Sequence, residues 1–119
     1  MGLQARHGRR GERAAARHLR RRGWTIIATR WRGAGGELDL IAARGGVVAA
    51  CEVKTRGDRD ALAEPLTSAQ RARMRRAAEA FLAGRPDLGG REARLDLITV
   101  HLRGPIARVR HRPGGAAGR

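Results

Sequence analysis

Apolar and small residues recur at helical spacing over residues 8–22, where Ala15, Ala16 and Leu19 share a face with Glu12 while Arg9, Arg10, Arg13, Arg17, Arg20 and Arg21 take most of the remainder. The pattern predicts a helix that Gly23 stops. "WTIIATRW" is β-branched enough for a strand, and "RGAGG" reads as a flexible loop. "ELDLIAA" and "VVAACEVKT" predict two further strands around Arg44-Gly45-Gly46, a tight-turn signal.

Beyond Lys54 the stretch "RGDRDALAEP" is polar and irregular, the segment expected to be most mobile. Thr67 or Ser68 then caps a second helix running to about Ala83, with Met74, Ala77, Ala78, Phe81 and Leu82 on its apolar face. "GRPDLGGRE" reads as a loop, "ARLDLITVHL" as a buried strand and "IARVRHR" as a short final strand. The tail "PGGAAGR" is expected to be disordered. The order α-β-β-β-α-β(-β) predicts an α/β domain over residues 1–112, a mixed sheet carrying both helices, followed by the tail 113–119. At 119 residues the chain is one domain with one modest core.

Composition narrows the partners. With 41% hydrophobic residues, 31% charged residues and only Trp24, Trp31 and Phe81 as aromatics, the core must be light and aliphatic. The formal charge of +15 exceeds anything folding requires and adds self-repulsion. It points to a polyanion, nucleic acid ahead of an anionic membrane surface or a ribosomal RNA scaffold. Cys51 is the only cysteine, so no internal disulfide forms; the start shows no signal-peptide pattern and no apolar run spans a bilayer. A reducing cytoplasm is the expected location, without a membrane partner.

All but one of the 26 Lys and Arg residues are arginine, and the exception is Lys54, two positions after Glu52. If Gly45 and Gly46 are the loop of a two-residue hairpin, Asp39 lies across from Glu52 and Glu37 across from Lys54. Opposed residues share a face with Cβ atoms about 4.5–5.5 Å apart. Two carboxylates so close are best tolerated with a cation between them. Mg²⁺ or Mn²⁺ suits such a pair, since a small hard ion takes one or two carboxylates and completes its shell with water and phosphate oxygens. Lys54, a compact charge on the face of Glu52, would position a nucleophilic water or neutralise developing charge. Glu12 and Gln70 sit on the apolar stripes of the two helices and are expected to converge on the open end of the hairpin.

Each residue also has a plainer reading. The four charges would equally form a cross-strand salt-bridge ladder, and pairing with Lys54 or capping a loop explains Glu37 better than a metal does. Glu12 would sit favourably near a helix N-terminus, and Gln70 would bond backbone at the start of its helix. Cys51 alternates to the opposite face as a small core residue, the four histidines lack metal-ligand spacing, and Asp96 reads as structural, paired with an arginine.

"GERAAARHLRRRGWTIIATRWRGAGGELDLIAARGGVVAACEVKTRGD" resembles the YraN family of small bacterial proteins, with its early G-E, its G-E-hydrophobic-D-L-I stretch and its hydrophobic run ending E-V-K-x-R. That family resembles the PD-(D/E)XK nucleases, with a restriction-endonuclease-like fold, and among them the archaeal Holliday-junction resolvases. The resemblance implies metal-binding acids at Asp39 and Glu52, the catalytic lysine at Lys54 and an auxiliary acid at Glu12. It departs where relatives often carry a lysine near the start of the second helix; here Gln70 is followed by Arg71.

The expected activity is therefore metal-dependent hydrolysis of DNA phosphodiesters. Arg56, Arg71, Arg73, Arg75 and Arg76 are the candidate phosphate contacts, with the arginines at 108, 110 and 112 alternating along the last strand. Few aromatics argue against base stacking on a single strand and favour duplex or branched DNA. Cutting both strands would need two sites, which a homodimer would supply. One alternative is a non-catalytic DNA- or RNA-binding module on the same fold, acting with a DNA-processing partner. Another is a basic adaptor whose carboxylates meet a protein.

Overall fold

The computed structural model describes residues 3–57 and 64–115. Helix α1 (Leu3–Arg21) is followed by strands β1 (Thr25–Gly33), β2 (Gly36–Arg44) and β3 (Val47–Gly57). Helix α2 (Ser68–Ala83), strand β4 (Glu92–Arg103) and strand β5 (Ile106–Arg112) complete the fold. The five strands form one sheet in the order β1-β2-β3-β4-β5, antiparallel except for the parallel pair β3–β4 that α2 bridges. This is the α-β-β-β-α-β-β order expected, a mixed sheet flanked by helices and compatible with a restriction-endonuclease-like fold.

The helices cover opposite faces. Ala14, Ala15 and Leu19 of α1 pack with Leu40, Ala42, Ala49, Cys51, Ile98 and Val100. Met74, Ala77 and Phe81 of α2 pack with Leu38, Ile41, Val48, Ala50 and Leu97. Helix α1 ends where sequence places its stop: Gly23 adopts φ 87°, its N–H reaches the Arg20 carbonyl and the Trp24 N–H reaches that of Leu19, a closure that folds buried Trp24 onto the core. Its start is earlier than the apolar pattern indicated, at Leu3.

Three expectations are corrected. "RGAGG" is no flexible loop: β1 and β2 continue to the Gly33–Gly36 pair, and Ala34 and Gly35, with φ of 52° and 76°, make a two-residue turn. Strand β3 runs on through Arg56 and Gly57, so only 58–63 of the segment expected to be mobile remains, outside the described residues. Pro113–Gly115 form a 3₁₀ turn instead of a disordered tail, because the Gly114 N–H donates to Asp96 and the Leu66 N–H to the Gly115 carbonyl. The rest of the expected tail, 116–119, lies outside the described residues. Among the described residues no helix is long and apolar enough to cross a membrane.

Candidate active site

The β2–β3 hairpin has the register its turn dictates. Arg44 pairs with Val47 and the ladder continues to Leu40–Cys51. There it stops, one pair short of the carboxylates. Asp39 Oδ2 instead accepts the Val53 backbone N–H at 2.7 Å, and beyond this point β3 continues its pairing with β4 alone.

The opening coincides with a reversal in β1 and β2. Ala28 and Ile41 pack toward α2 and Leu40 toward α1, but Trp31 and Leu38 face α2 again, so strict alternation breaks between them. Arg30 and Asp39 occupy the break, between the Thr29–Leu40 and Trp31–Leu38 pairs, and Arg30 has φ 52°. Its guanidinium reaches Glu12 on α1, Nε to Oε1 at 2.8 Å. Arg30 is therefore a site-shaping residue that sequence reading missed, since nothing in a strand pattern marks an arginine for left-handed backbone.

Asp39, Glu52 and Gln70 line one pocket of about 560 Å³, together with Glu37, Arg73 and Gly36. Glycine at 36 is required by close approach: a Cβ there would lie 2.8 Å from the Arg73 carbonyl oxygen of α2. On the other face, a Cβ at Gly11 would collide with Thr55 Oγ1, so glycine lets α1 lie against β3 beside Glu12. The two Gly-Glu pairs in the sequence thus mark where the helices press closest to the sheet.

Lys54 Nζ lies 3.2 Å from Glu52 Oε2. Glu37 does not meet Lys54, because the ladder has opened; its partner is Arg32, at 3.2 Å. Gln70 closes a capping box, its Oε1 accepting the Thr67 N–H at 2.8 Å while its own N–H donates to Thr67 Oγ1. The plain reading of Gln70 and its place in the pocket both hold, and its side-chain NH₂ is the group that the capping box leaves unused. Glu12 does not join this pocket. It lines a second cavity, on the α1 side, with Arg30.

Burial pushes the Asp39 carboxyl up to about 7; the Val53 N–H opposes the shift, and the charges of Glu52, Glu12 and Glu37 reinforce it. Glu52, Glu37 and Glu12 each pair with a basic side chain, whereas Asp39 meets a backbone amide. A divalent cation would suit Asp39 and Glu52 together, since two carboxylates are a hard-oxygen donor set that Mg²⁺ or Mn²⁺ takes from protein. Among the described residues no three His, Cys, Asp or Glu side chains gather as a metal cage, so the fit is to an ion held by two acids and otherwise by water or substrate.

The candidate phosphate contacts divide. Arg73 lines the pocket. Arg71 Nη1 donates to the Gly114 carbonyl at 2.6 Å and thereby ties α2 to the end of the chain. Arg75 and Arg76 are exposed on α2, Arg56 Nη1 reaches the Thr55 carbonyl, and Arg108 and Arg110 are exposed on β5 whereas Arg112 is buried. Asp96 is fully buried, held by a bidentate Arg94 at 2.8 and 3.0 Å, by His111 Nε2 at 2.7 Å and by the Gly114 N–H. Burial alone would raise its carboxyl, but these bonds to His111, Arg94 and Gly114 lower it. Cys51 is buried on the face opposite Glu52, and burial pushes its thiol up, as befits a core residue.

Comparison with known proteins agrees with the motifs. The model of the uncharacterised protein family UPF0102, the YraN family, matches residues 11–100. A UPF0102 protein of Roseiflexus castenholzii is 40% identical over 116 residues, covering 94% of each chain. One of Rhodopseudomonas palustris is 40% identical over 92% of this chain and 82% of its own. Another, from Paramagnetospirillum magneticum, is 46% identical over 80% of this chain and 77% of its own.

Proposed function

The chain belongs to the uncharacterised protein family UPF0102, and from its site we propose that it is a metal-dependent nuclease, hydrolysing phosphodiester bonds in DNA with Asp39 and Glu52 as the residues that hold Mg²⁺ or Mn²⁺. The observation that carries this reading is the meeting of Asp39 and Glu52 in one pocket where the hairpin opens, with the Asp39 carboxyl pushed up to about 7. The resemblance to PD-(D/E)XK nucleases supports it.

A divalent ion bound there would polarise a phosphoryl oxygen and make a water acidic enough to attack. The remaining work falls to the chain. Val53 N–H fixes the Asp39 carboxylate, leaving its second oxygen as the donor. Lys54 holds Glu52 in place and supplies a point charge for the negative charge that develops on the phosphoryl group. The Gln70 NH₂, free of the capping box, is a donor for a phosphate oxygen or for the attacking water. Arg73 adds positive charge at the same pocket.

The Glu52–Lys54 ion pair favours a second reading, in which the acids are internally compensated and the domain binds DNA or RNA without cutting it, in the service of a partner. Incubation of labelled plasmid, single-stranded DNA, a four-way junction and structured RNA with the protein in Mg²⁺, Mn²⁺ or EDTA separates the two. Cleavage that needs metal is expected; retention of all four substrates intact, with binding that ignores metal, would replace the nuclease with the binding module.

A further inference from the structure

On the face of the sheet opposite Gln70, a groove of about 390 Å³ lies between α1 and β1. Arg9, Arg13 and Arg20 line it from the helix, on the same stripe as Ala16, while Thr29 and Arg30 line it from the strand. Four guanidiniums face one carboxylate, Glu12, which is already paired with Arg30. Arg9, Arg13 and Arg20 are exposed, and their surplus charge opposes folding by self-repulsion. Ala16 is what keeps the middle of the stripe open, where a longer side chain would fill the space.

We propose that this groove holds the phosphodiester backbone of the nucleic acid, across the β1 edge of the sheet from the carboxylate pocket, a proposal that rests on the nucleic-acid reading above. From Arg9 to Arg20 the helix extends about 16 Å at 1.5 Å per residue. A duplex strand carries a phosphate about every 3.4 Å along its axis, so several phosphates fit in line. The groove and the pocket lie on opposite faces of the sheet at its β1 edge, Thr29 and Arg30 lining the first and Arg32 and Gly33 the second, so a strand that reaches both passes around that edge. Arg30 links the two, lining the groove while its left-handed backbone coincides with the reversal that opens the pocket. This assigns backbone contacts to α1, where the sequence drew attention to α2, Arg56 and the last strand.

The test is equilibrium binding of the full chain to a labelled 20-base-pair duplex in EDTA, so that cutting plays no part, across a range of salt concentrations. Each phosphate contact contributes about 0.9 to the slope of log affinity against log salt. Arg9→Gln/Arg13→Gln is expected to lower that slope by about 1.8 and Arg20→Gln alone by about 0.9, while Arg91→Gln, which removes one exposed charge just before β4, leaves it unchanged. Thermal melting of each variant checks that the fold is kept, and the single substitution on an exposed arginine gives the reading should the double one not fold. An equal loss from Arg91→Gln and Arg20→Gln, or none from α1, overturns the groove while leaving the nuclease reading standing. Absence of any binding by wild type overturns both, and salt-dependent binding through the groove without cleavage in Mg²⁺ removes only the nuclease.

Discussion

Asp39 reaches across the opened hairpin to the Val53 amide at 2.7 Å, at the step where the β2–β3 ladder ends. A carboxylate has taken the place of a strand-to-strand bond. That substitution leaves an acid in a partly desolvated pocket that Glu52 also lines.

The pH dependence of stability follows with a definite sign. The Asp39 carboxyl titrates near 7 in the folded chain and near 3.8 ordinarily, so the folded state holds this proton more tightly. Its contribution is complete below about pH 4 and is lost as pH rises through 7. Asparagine cannot ionise and keeps an oxygen for Val53. Asp39→Asn should therefore melt above wild type at pH 8, with the difference shrinking toward pH 4 and narrowing at pH 8 when Mg²⁺ is added. A variant that melts lower at pH 8 would contradict the raised carboxyl.

Asp96 has the opposite sign. Its carboxyl is lowered by His111, Arg94 and Gly114 despite burial, so its contribution is present above the ordinary carboxylate range and disappears as pH falls through the lowered value. Asp96→Ala strands the Arg94 guanidinium and releases the turn at Gly114; urea denaturation at pH 7 should show a loss of about 3–5 kcal/mol. A loss under 1 kcal/mol would show that these bonds hold little.

The two close-approach glycines should fail differently. Gly11→Ala meets a side chain, Thr55, and is expected to lose about 1–3 kcal/mol, with much of it restored by a second substitution, Thr55→Ala. Gly36→Ala meets the Arg73 carbonyl of α2, so no such partner exists and the helix must move. Denaturation of the three variants beside wild type measures both effects; a neutral Gly36→Ala would mean that α2 is not fixed over the pocket.

Lys54→Arg retains the charge near Glu52 but replaces a compact ammonium with a broad planar fork. DNA affinity should stay within about twofold, while the cleavage rate falls roughly a hundredfold, the scale of losing one well-placed stabilising group. Full activity in the arginine variant would leave the single lysine of this chain without its chemical explanation.

Much of this was legible in the residues because it is local. Gly45-Gly46 dictated the hairpin register, alternation put Cys51 and Glu52 on opposite faces, and Thr67, with Ser68, was a candidate helix cap and Gln70 a candidate for bonding backbone at the helix start. What was hidden depends on long-range choices. The ladder's end needs Asp39 to prefer the Val53 amide, and the reversal needs left-handed backbone at Arg30, a residue type that gives no such signal. Glycine density made 32–36 look like a loop when two of its residues form a tight turn and the rest remain strand. Glu12 was read from its helical stripe as an acid of the hairpin's open end, but its partner on β1 draws it into the neighbouring groove.

The central claim is that Asp39 and Glu52 act together through a divalent ion, and the most direct measurement is the rate of DNA cleavage in Mg²⁺ by wild type, Asp39→Asn and Glu52→Gln prepared in parallel. Each substitution should reduce the rate by roughly a hundredfold or more, with DNA affinity in EDTA nearly intact and the double variant scarcely worse than either single one. Equal cleavage by all three proteins, or cleavage by wild type that persists in EDTA, would contradict it.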